Sequence, residues 1–140
     1  MPVSDSELRD LLTHSRVIAV VGHSDKTYRD SYDVGRYLRR AGYRVYAVNP
    51  NITAVDGGRA YARLADVPEP IDIVNVFRRP AALPQVVEET LPLHARALWT
   101  QLGVVHPQAE ARARAAGLIT VVNLCIMVEH RRLGIQRLTP

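Results

Sequence analysis

A single cysteine, Cys125, stands in this chain of 140 residues. That excludes an internal disulfide and a multi-thiolate metal site, and it suits a reducing compartment. No apolar run approaches the roughly 20 residues that a bilayer-spanning helix needs, and the opening stretch MPVSDSELRD has no apolar signal core. The expectation is a soluble, cytoplasmic protein without a membrane partner. Lysine is almost missing as well, because Lys26 is the only one among 18 basic residues. The net charge of +4 is therefore carried by arginines scattered as Arg39-Arg40, Arg78-Arg79, Arg112 with Arg114, and Arg131-Arg132. There is no long basic run, and aromatics, at 6%, form no stacking series. Nucleic acid is not the expected partner; a small polyanion is.

With 47% hydrophobic and 23% charged residues and no repeat or low-complexity tract, residues 1–140 read as one globular domain. Ser4 followed by Glu7 has capping-box spacing and opens a short amphipathic helix ending near His14 or Ser15. RVIAVVG is an apolar, β-branched run ending in glycine and reads as a strand covered on both faces. SYDVGRYLRRAGY has helical spacing at Val34, Leu38 and Ala41, with Ser31 as N-cap and Gly42 as stop. RVYAVNP returns to strand, completing a βαβ unit. IDIVNVF, ARALWTQ and LITVV supply three more strands. LPQVVEETLPL, PQAEARARAAG and NLCIMVEHRRLG supply helices, the last capped by Asn123. Residues 51–70 read as a glycine-containing loop with one helical turn at YARLADV. The fold class is α/β, a Rossmann-like doubly wound parallel sheet of about five strands with helices on both faces.

In such a sheet the ligand lies beyond the carboxyl ends of the strands, which directs attention to VVGHSDKTYRDS. A dinucleotide fingerprint needs three close glycines and an acidic residue ending the second strand. Here no second glycine appears between Gly22 and Gly35, and the second strand ends Val48-Asn49-Pro50. Both requirements fail, which disfavours NAD(P) and an oxidoreductase. An anion still suits this turn: backbone amides of Gly22, His23 and Ser24 and the following helix start offer donors. Lys26 and Arg29 add charge, and Ser24 and Ser31 add hydroxyls.

Four ordered motifs, IAVVGHSDKTYRDSYDVGRYLRRAGYRVYAVNP, DIVNVFRRP, LWTQLGV and CIMVEHRRL, resemble the small stand-alone coenzyme A-binding proteins of bacteria. These are similar to the CoA-binding domain of the succinyl-CoA synthetase alpha subunit and of ADP-forming acyl-CoA synthetases. The resemblance spans roughly residues 5–135. It implies a Rossmann-like fold holding coenzyme A or an acyl-CoA, with its phosphates at Gly22, His23 and Ser24 and with Arg29 and Ser31 nearby. Val48, Asn49 and Pro50 would border the adenosine, and Phe77, Arg78, Arg79 and Pro80 would line the groove. Gln101 to Gly103 and the segment leading to Cys125 would flank the pantetheine. Relatives often carry Asp-Arg-Cys where this chain has Asn123-Leu124-Cys125. The phosphorylated histidine of the synthetases comes from a separate domain without a counterpart here, so their reaction is not implied.

Several of these residues have plainer readings. Arg78-Arg79 is equally the solvated start of a helix, and Arg131-Arg132 compensates a helix dipole. His23 contacts the ligand through its backbone, and no nucleophile or carboxylate is placed to make its imidazole a base. Cys125 is either a small buried hydrophobe or a thiol able to form a mixed disulfide with coenzyme A, and Trp99 is core. The leading reading is a coenzyme A-binding module, non-catalytic by itself. The alternative is an acyl-CoA-using enzyme, or a subunit whose partner supplies the catalytic groups. A homodimer or larger complex is compatible with either.

Overall fold

A computed structural model describes residues 2–139. Its helices are α1 (Asp5–His14), α2 (Asp30–Arg40), α3 (Leu83–Thr90), α4 (Pro107–Ala115) and α5 (Ile126–Arg132). Its strands are β1 (Val17–Val21), β2 (Arg44–Val48), β3 (Ala54–Val55), β4 (Gly58–Tyr61), β5 (Ile73–Val76), β6 (Ala97–Thr100) and β7 (Ile119–Val121). They form one sheet in the order β3-β4-β2-β1-β5-β6-β7. Every pairing is parallel except β3 with β4. Without β3 this is the Rossmann order, and the direction of strand addition reverses between β1 and β5.

The Rossmann-like α/β expectation holds, but the count of about five strands is corrected to seven. The difference lies in residues 51–70, expected as a loop. Asp56 and Gly57 both have positive φ, 48° and 82°, as a two-residue hairpin turn of type I′ requires, and they join β3 to β4. The expected helical turn is a short 3-10 segment at Leu64–Asp66.

Both faces of the sheet are covered, which explains why β1 and β5 are apolar without alternation. On one side Leu8, Leu11 and Leu12 of α1, Val34 and Leu38 of α2 and Ile126 of α5 pack on Ile18, Val20, Ile73 and Trp99. On the other, Leu83, Val86 and Val87 of α3 and Ala109 and Ala113 of α4 pack on Ala19, Val21, Val74, Val76 and Leu98. Helix α1 starts as its spacing predicts: Ser4 Oγ accepts from the Glu7 amide and Glu7 Oε1 accepts from the Ser4 amide, both at 3.2 Å. Its outer end is tied to α5 by Arg132, which donates to both Asp5 carboxylate oxygens at 2.8 and 3.0 Å. Arg132 also donates to Glu129, so this arginine pairs with carboxylates rather than only facing a helix dipole.

Two expected caps are replaced. Helix α2 begins at Asp30 with Arg29 at the N-cap, and the Ser31 hydroxyl accepts instead from the Ser24 amide at 2.9 Å. Helix α5 begins at Ile126 with Cys125 at the N-cap, while Asn123 sits in left-handed backbone at φ 61°. Its capping acceptor comes from another strand end: Gln101 Oε1 accepts from the Ile126 amide at 3.0 Å.

Trp99 is fully buried, and its Nε1 donates to the Leu124 carbonyl at 2.9 Å, tying the segment before α5 to β6. Trp99→Phe keeps an aromatic ring but strands that carbonyl, so it is expected to lower unfolding free energy in urea by about 1–3 kcal/mol. A loss under about 0.5 kcal/mol would show that the carbonyl needs no protein donor.

Candidate functional site

The reversal between β1 and β5 brings Gly22 against Phe77. Gly22 has φ 89°, and a Cβ placed on it would lie 2.2 Å from the Phe77 carbonyl oxygen. Its amide donates to the Val48 carbonyl at 2.8 Å, and the Phe77 amide donates to Val21. Three strand ends are thereby locked to one another. The glycine is required by this backbone approach, whatever ligand lies beyond it.

His23 follows and turns inward: it is fully buried. Its Nδ1 contacts the Ser24 carbonyl at 2.8 Å and its Nε2 contacts an Arg39 guanidinium nitrogen at 3.1 Å. A carbonyl can only accept and a guanidinium can only donate, so the ring is neutral with its proton on Nδ1. Burial, the main cause, lowers the pKa from 6.5 to about 4, and the Arg39 charge acts in the same direction. The ring lies over Gly35, where a Cβ would be 2.2 Å from Nε2. Asn49 closes the arrangement from β2, with Nδ2 donating to the His23 carbonyl at 3.0 Å and Oδ1 accepting from the Asn51 amide at 2.9 Å. His23, Val48 and Asn49 thus shape the loop from behind. Pro50 and Lys26 are exposed, and the Lys26 ammonium is 4.0 Å from Asp25.

In front of this loop lies a recess of about 400 Å³ lined by Gly22, Ser24, Arg29, Asp30, Ser31 and Phe77. The Gly22 and Ser24 amides are engaged within the protein. Donors for an anion are therefore the Arg29 guanidinium, the Ser31 hydroxyl proton and the unpaired amides in the first turn of α2. Adjoining it through Asp30 and Phe77 is a larger cleft of about 590 Å³. Arg78 and Arg79 stand on one wall, Asp30 and Asp33 on another, and Val34, Val104, Met127 and Val128 add apolar surface. Among the described residues, Arg29, Arg78 and Arg79 have no carboxylate within 4.0 Å.

The far wall is built by the end of β6. Thr100 Oγ1 accepts from the Asn123 amide at 3.0 Å and donates to the Val104 carbonyl at 2.7 Å. Asn123 Oδ1 accepts from the Gly103 amide at 2.7 Å, so Asn123 supports the wall rather than lining it. Gln101, 5% exposed, uses Oε1 for both the Ile126 amide and Asn75 Nδ2, at 3.0 and 3.1 Å. The Ile126 donor fixes the orientation of the Gln101 amide, which in turn fixes that of Asn75. Gln101 therefore meets the cleft with its amide nitrogen uncommitted, while buried Asn75 Oδ1 has no partner. Cys125 is half-buried; it packs against the α1–α2–α5 core and also lines the cleft.

Of the residues singled out in the sequence, the two spaces bring together Gly22, Ser24, Arg29, Ser31, Phe77, Arg78, Arg79, Gln101, Gly103 and Cys125. Sequence reading missed Asp33, Val34, Met127 and Val128 as lining residues. Their signal was positional: Asp33 and Val34 lie in the first turns of α2, and Met127 and Val128 in the first turn of α5, so these helix starts face the strand ends.

With this geometry in view, comparison with known proteins assigns the class. Residues 16–131 match the family described as CoA binding domain, and the chain belongs to that family. It is 41% identical over 127 residues to the protein YneT of Bacillus subtilis (strain 168), covering 91% of this chain and 94% of that one. The structure of cell-free ID.343 from Thermus thermophilus is 42% identical, with a TM-score of 0.90 over 94% of this chain and 99% of that one. A dinucleotide-forming acetyl-coenzyme A synthetase of Ca. Korarchaeum cryptofilum shares the fold, with a TM-score of 0.68 at 21% identity over 81% of this chain and 27% of that one.

The His23–Gly35 contact predicts an unusual sign. Gly-to-Ala inside a helix ordinarily stabilises by about 1 kcal/mol. Gly35→Ala is instead expected to destabilise, by about 1–3 kcal/mol of overpacking, and His23→Ala in the same chain should reverse most of that loss. The cost of Gly35→Ala is to be read against His23→Ala alone, a background in which it should largely disappear; a stabilising Gly35→Ala in the parent would refute the contact. Because the folded-state pKa of His23 is depressed, its stabilising neutral form is fully present above the unfolded value of 6.5 and is lost as pH falls towards about 4. Burial also depresses His130, which acts in the same direction. Denaturant unfolding from pH 7 to pH 4 should show a loss of order 3 kcal/mol in the parent that His23→Gln lacks; equal pH dependence would remove His23 as its source.

Proposed function

We propose that this protein binds coenzyme A or an acyl-CoA as one domain, with the nucleotide phosphates in the recess between β1 and α2 and the pantetheine in the adjoining cleft. The observation that carries this reading is the division of chemistry between the two spaces. The phosphate end has the first turn of α2, the Ser31 hydroxyl and Arg29, with Arg78 and Arg79 beside it. A phosphomonoester carries about two negative charges at pH 7, and forked, permanently charged guanidinium groups suit it and a diphosphate. The second space has an apolar wall of Val34, Val104, Met127 and Val128 and a hydrogen-bond donor in Gln101, which match an uncharged arm containing amides. A cleft of about 590 Å³ lies within the range of small-molecule sites. The thiol end would approach Cys125, half-buried on the same wall.

The arrangement supports binding rather than turnover. His23, the imidazole nearest the phosphates, is neutral, buried and committed at both nitrogens. It positions the loop from behind and carries no proton to a ligand. The synthetase likeness adds the fold to this reading and no residue roles.

Thermal unfolding with coenzyme A, dephospho-CoA, NAD and ATP tests the assignment. A ligand at one hundred times its Kd stabilises by about 2.7 kcal/mol, a rise of about 5–10 °C for a chain of this size. The rise is expected with coenzyme A and not with NAD; equal rises, or none with coenzyme A in ligand-free protein, would overturn the proposal. Arg29→Ala is expected to weaken coenzyme A by about tenfold or more. A larger loss for coenzyme A than for dephospho-CoA would put Arg29 on the 3′-phosphate, an equal loss on the diphosphate, and no loss outside the site.

A further inference from the structure

Past the cleft, α2 and α5 enclose a third recess of about 250 Å³, lined by Asp33, Arg36, Tyr37, Arg40, Met127 and Arg131. Asp33 and Met127 also line the main cleft, so the two spaces adjoin. Arg36, Arg40 and Arg131 are exposed, and among the described residues none has a carboxylate within 4.0 Å. Some exposed arginines of this protein find carboxylates, Arg44 with Glu69, Arg63 with Asp66, Arg112 with Glu88 and Arg132 with Asp5, whereas these three, like Arg29, Arg78 and Arg79 around the main spaces, do not. Arg40 and Arg131 stand in the last turns of their helices, where the dipole favours cations. Arg36 lies mid-helix and has no such reason. The Arg131 guanidinium lies 4.8 Å over the Tyr37 ring, and Tyr37 is held by a 2.6 Å hydrogen bond between its hydroxyl and buried His130. One cation is thus placed on a fixed aromatic platform at the edge of the recess.

We infer that this recess receives the distal carboxylate of an acyl chain, so that the preferred ligand is an acyl-CoA whose acyl group ends in a carboxylate. The inference rests on the coenzyme A reading above and names its substrate class. Helix α2 gives the order of contacts. Asp30 borders the phosphate recess, Asp33 and Val34 border the cleft, and Arg36, Tyr37 and Arg40 border the third recess. From Asp33 to Arg40 the helix rises about 10 Å. A ligand with phosphates at the start of α2 and its arm in the apolar cleft directs its acyl terminus along this helix, past Met127. Coenzyme A supplies anions for Arg29, Arg78 and Arg79 and none for the second arginine cluster. A neutral acyl chain would leave that cluster in water, whereas a terminal carboxylate meets three guanidinium groups. Asp33 is the one carboxylate lining the recess, and three arginines outweigh it.

Calorimetric titration with coenzyme A, valeryl-CoA and glutaryl-CoA tests this; the two acyl chains have equal length and differ in the terminal carboxylate. Glutaryl-CoA is expected to bind about tenfold more tightly than valeryl-CoA, the size of a charge-assisted contact. The preference should shrink with added salt. Arg40→Met with Arg131→Met should erase it while coenzyme A affinity stays within about twofold. Arg36→Met alone, at an exposed mid-helix position, provides a second variant should the pair disturb α2 or α5. Equal binding of the two acyl-CoAs would overturn the inference and leave the coenzyme A site standing. A preference that survives all three substitutions would overturn the assignment to these arginines. Failure to bind any of the three ligands would overturn the coenzyme A reading and this inference with it.

Discussion

The chain leaves β1 where a side chain has no room. A Cβ at Gly22 would press on the Phe77 carbonyl of the neighbouring strand, and φ at this residue is 89°. Because the backbone can pass there, β1 and β5 end side by side at the point where the sheet reverses its order. The loop that follows then folds back on itself. His23 drops over Gly35, the one glycine in α2, and Asn49 holds its carbonyl from β2. What remains in front is an edge presenting Arg29, Ser31 and the start of α2. The same glycine in a dinucleotide fold serves close approach to a pyrophosphate; here it serves close approach to protein backbone.

The opposite wall depends on polar groups at the end of β6. Thr100 and Gln101 both hold the segment that leads into α5, so a strand end substitutes for the local cap that α5 lacks. Asn123 returns the contact by accepting from Gly103. Each bond joins loops distant in sequence, and together they set the width of the cleft. Buried polar groups with defined partners favour one arrangement over its neighbours. The protein's own hydrogen bonds therefore hold this wall of the cleft in place, and Arg78 and Arg79 line the same cleft.

Much of this architecture was legible because it is local. The Ser4–Glu7 capping box, the apolar β1 and the helical spacing of Val34 and Leu38 are visible within a few residues, and the βαβ pattern follows from them. The hairpin of β3 and β4 was missed for lack of length: Ala54–Val55 and Gly58–Tyr61 are too short to show alternation. Asp56-Gly57 was its one signal. The caps of α2 and α5 were assigned to the nearest plausible residue, and in both cases tertiary bonds redirected it. His23 shows the limit most clearly. Adjacent residues put it in the turn that follows β1, and its backbone lies there. Its inward imidazole depends on Gly35 and Arg39, which only the folded helix brings near. Cleft residues at the strand ends were accessible to topology alone, as were Arg29, Ser31 and Cys125 beside them, while Asp33, Val34, Met127 and Val128, further along α2 and α5, required knowing which helix faces flank the crevice.

On the proposed function, coenzyme A sits beyond the carboxyl ends of β1, β5 and β6, against the Gly22–Phe77 junction. A groove of about 390 Å³ lined by Arg9, Thr13, Arg16 and residues 133–139, remote from these carboxyl strand ends, offers another arginine-bearing space for comparison. Titrating isotope-labelled protein with coenzyme A and following backbone amide resonances distinguishes the two directly. The account predicts saturable shifts confined to residues 22–34, 77–80, 101–104 and 123–128. Shifts concentrated at Arg9 to Arg16 and residues 133–139, or no saturable shift anywhere, would contradict it.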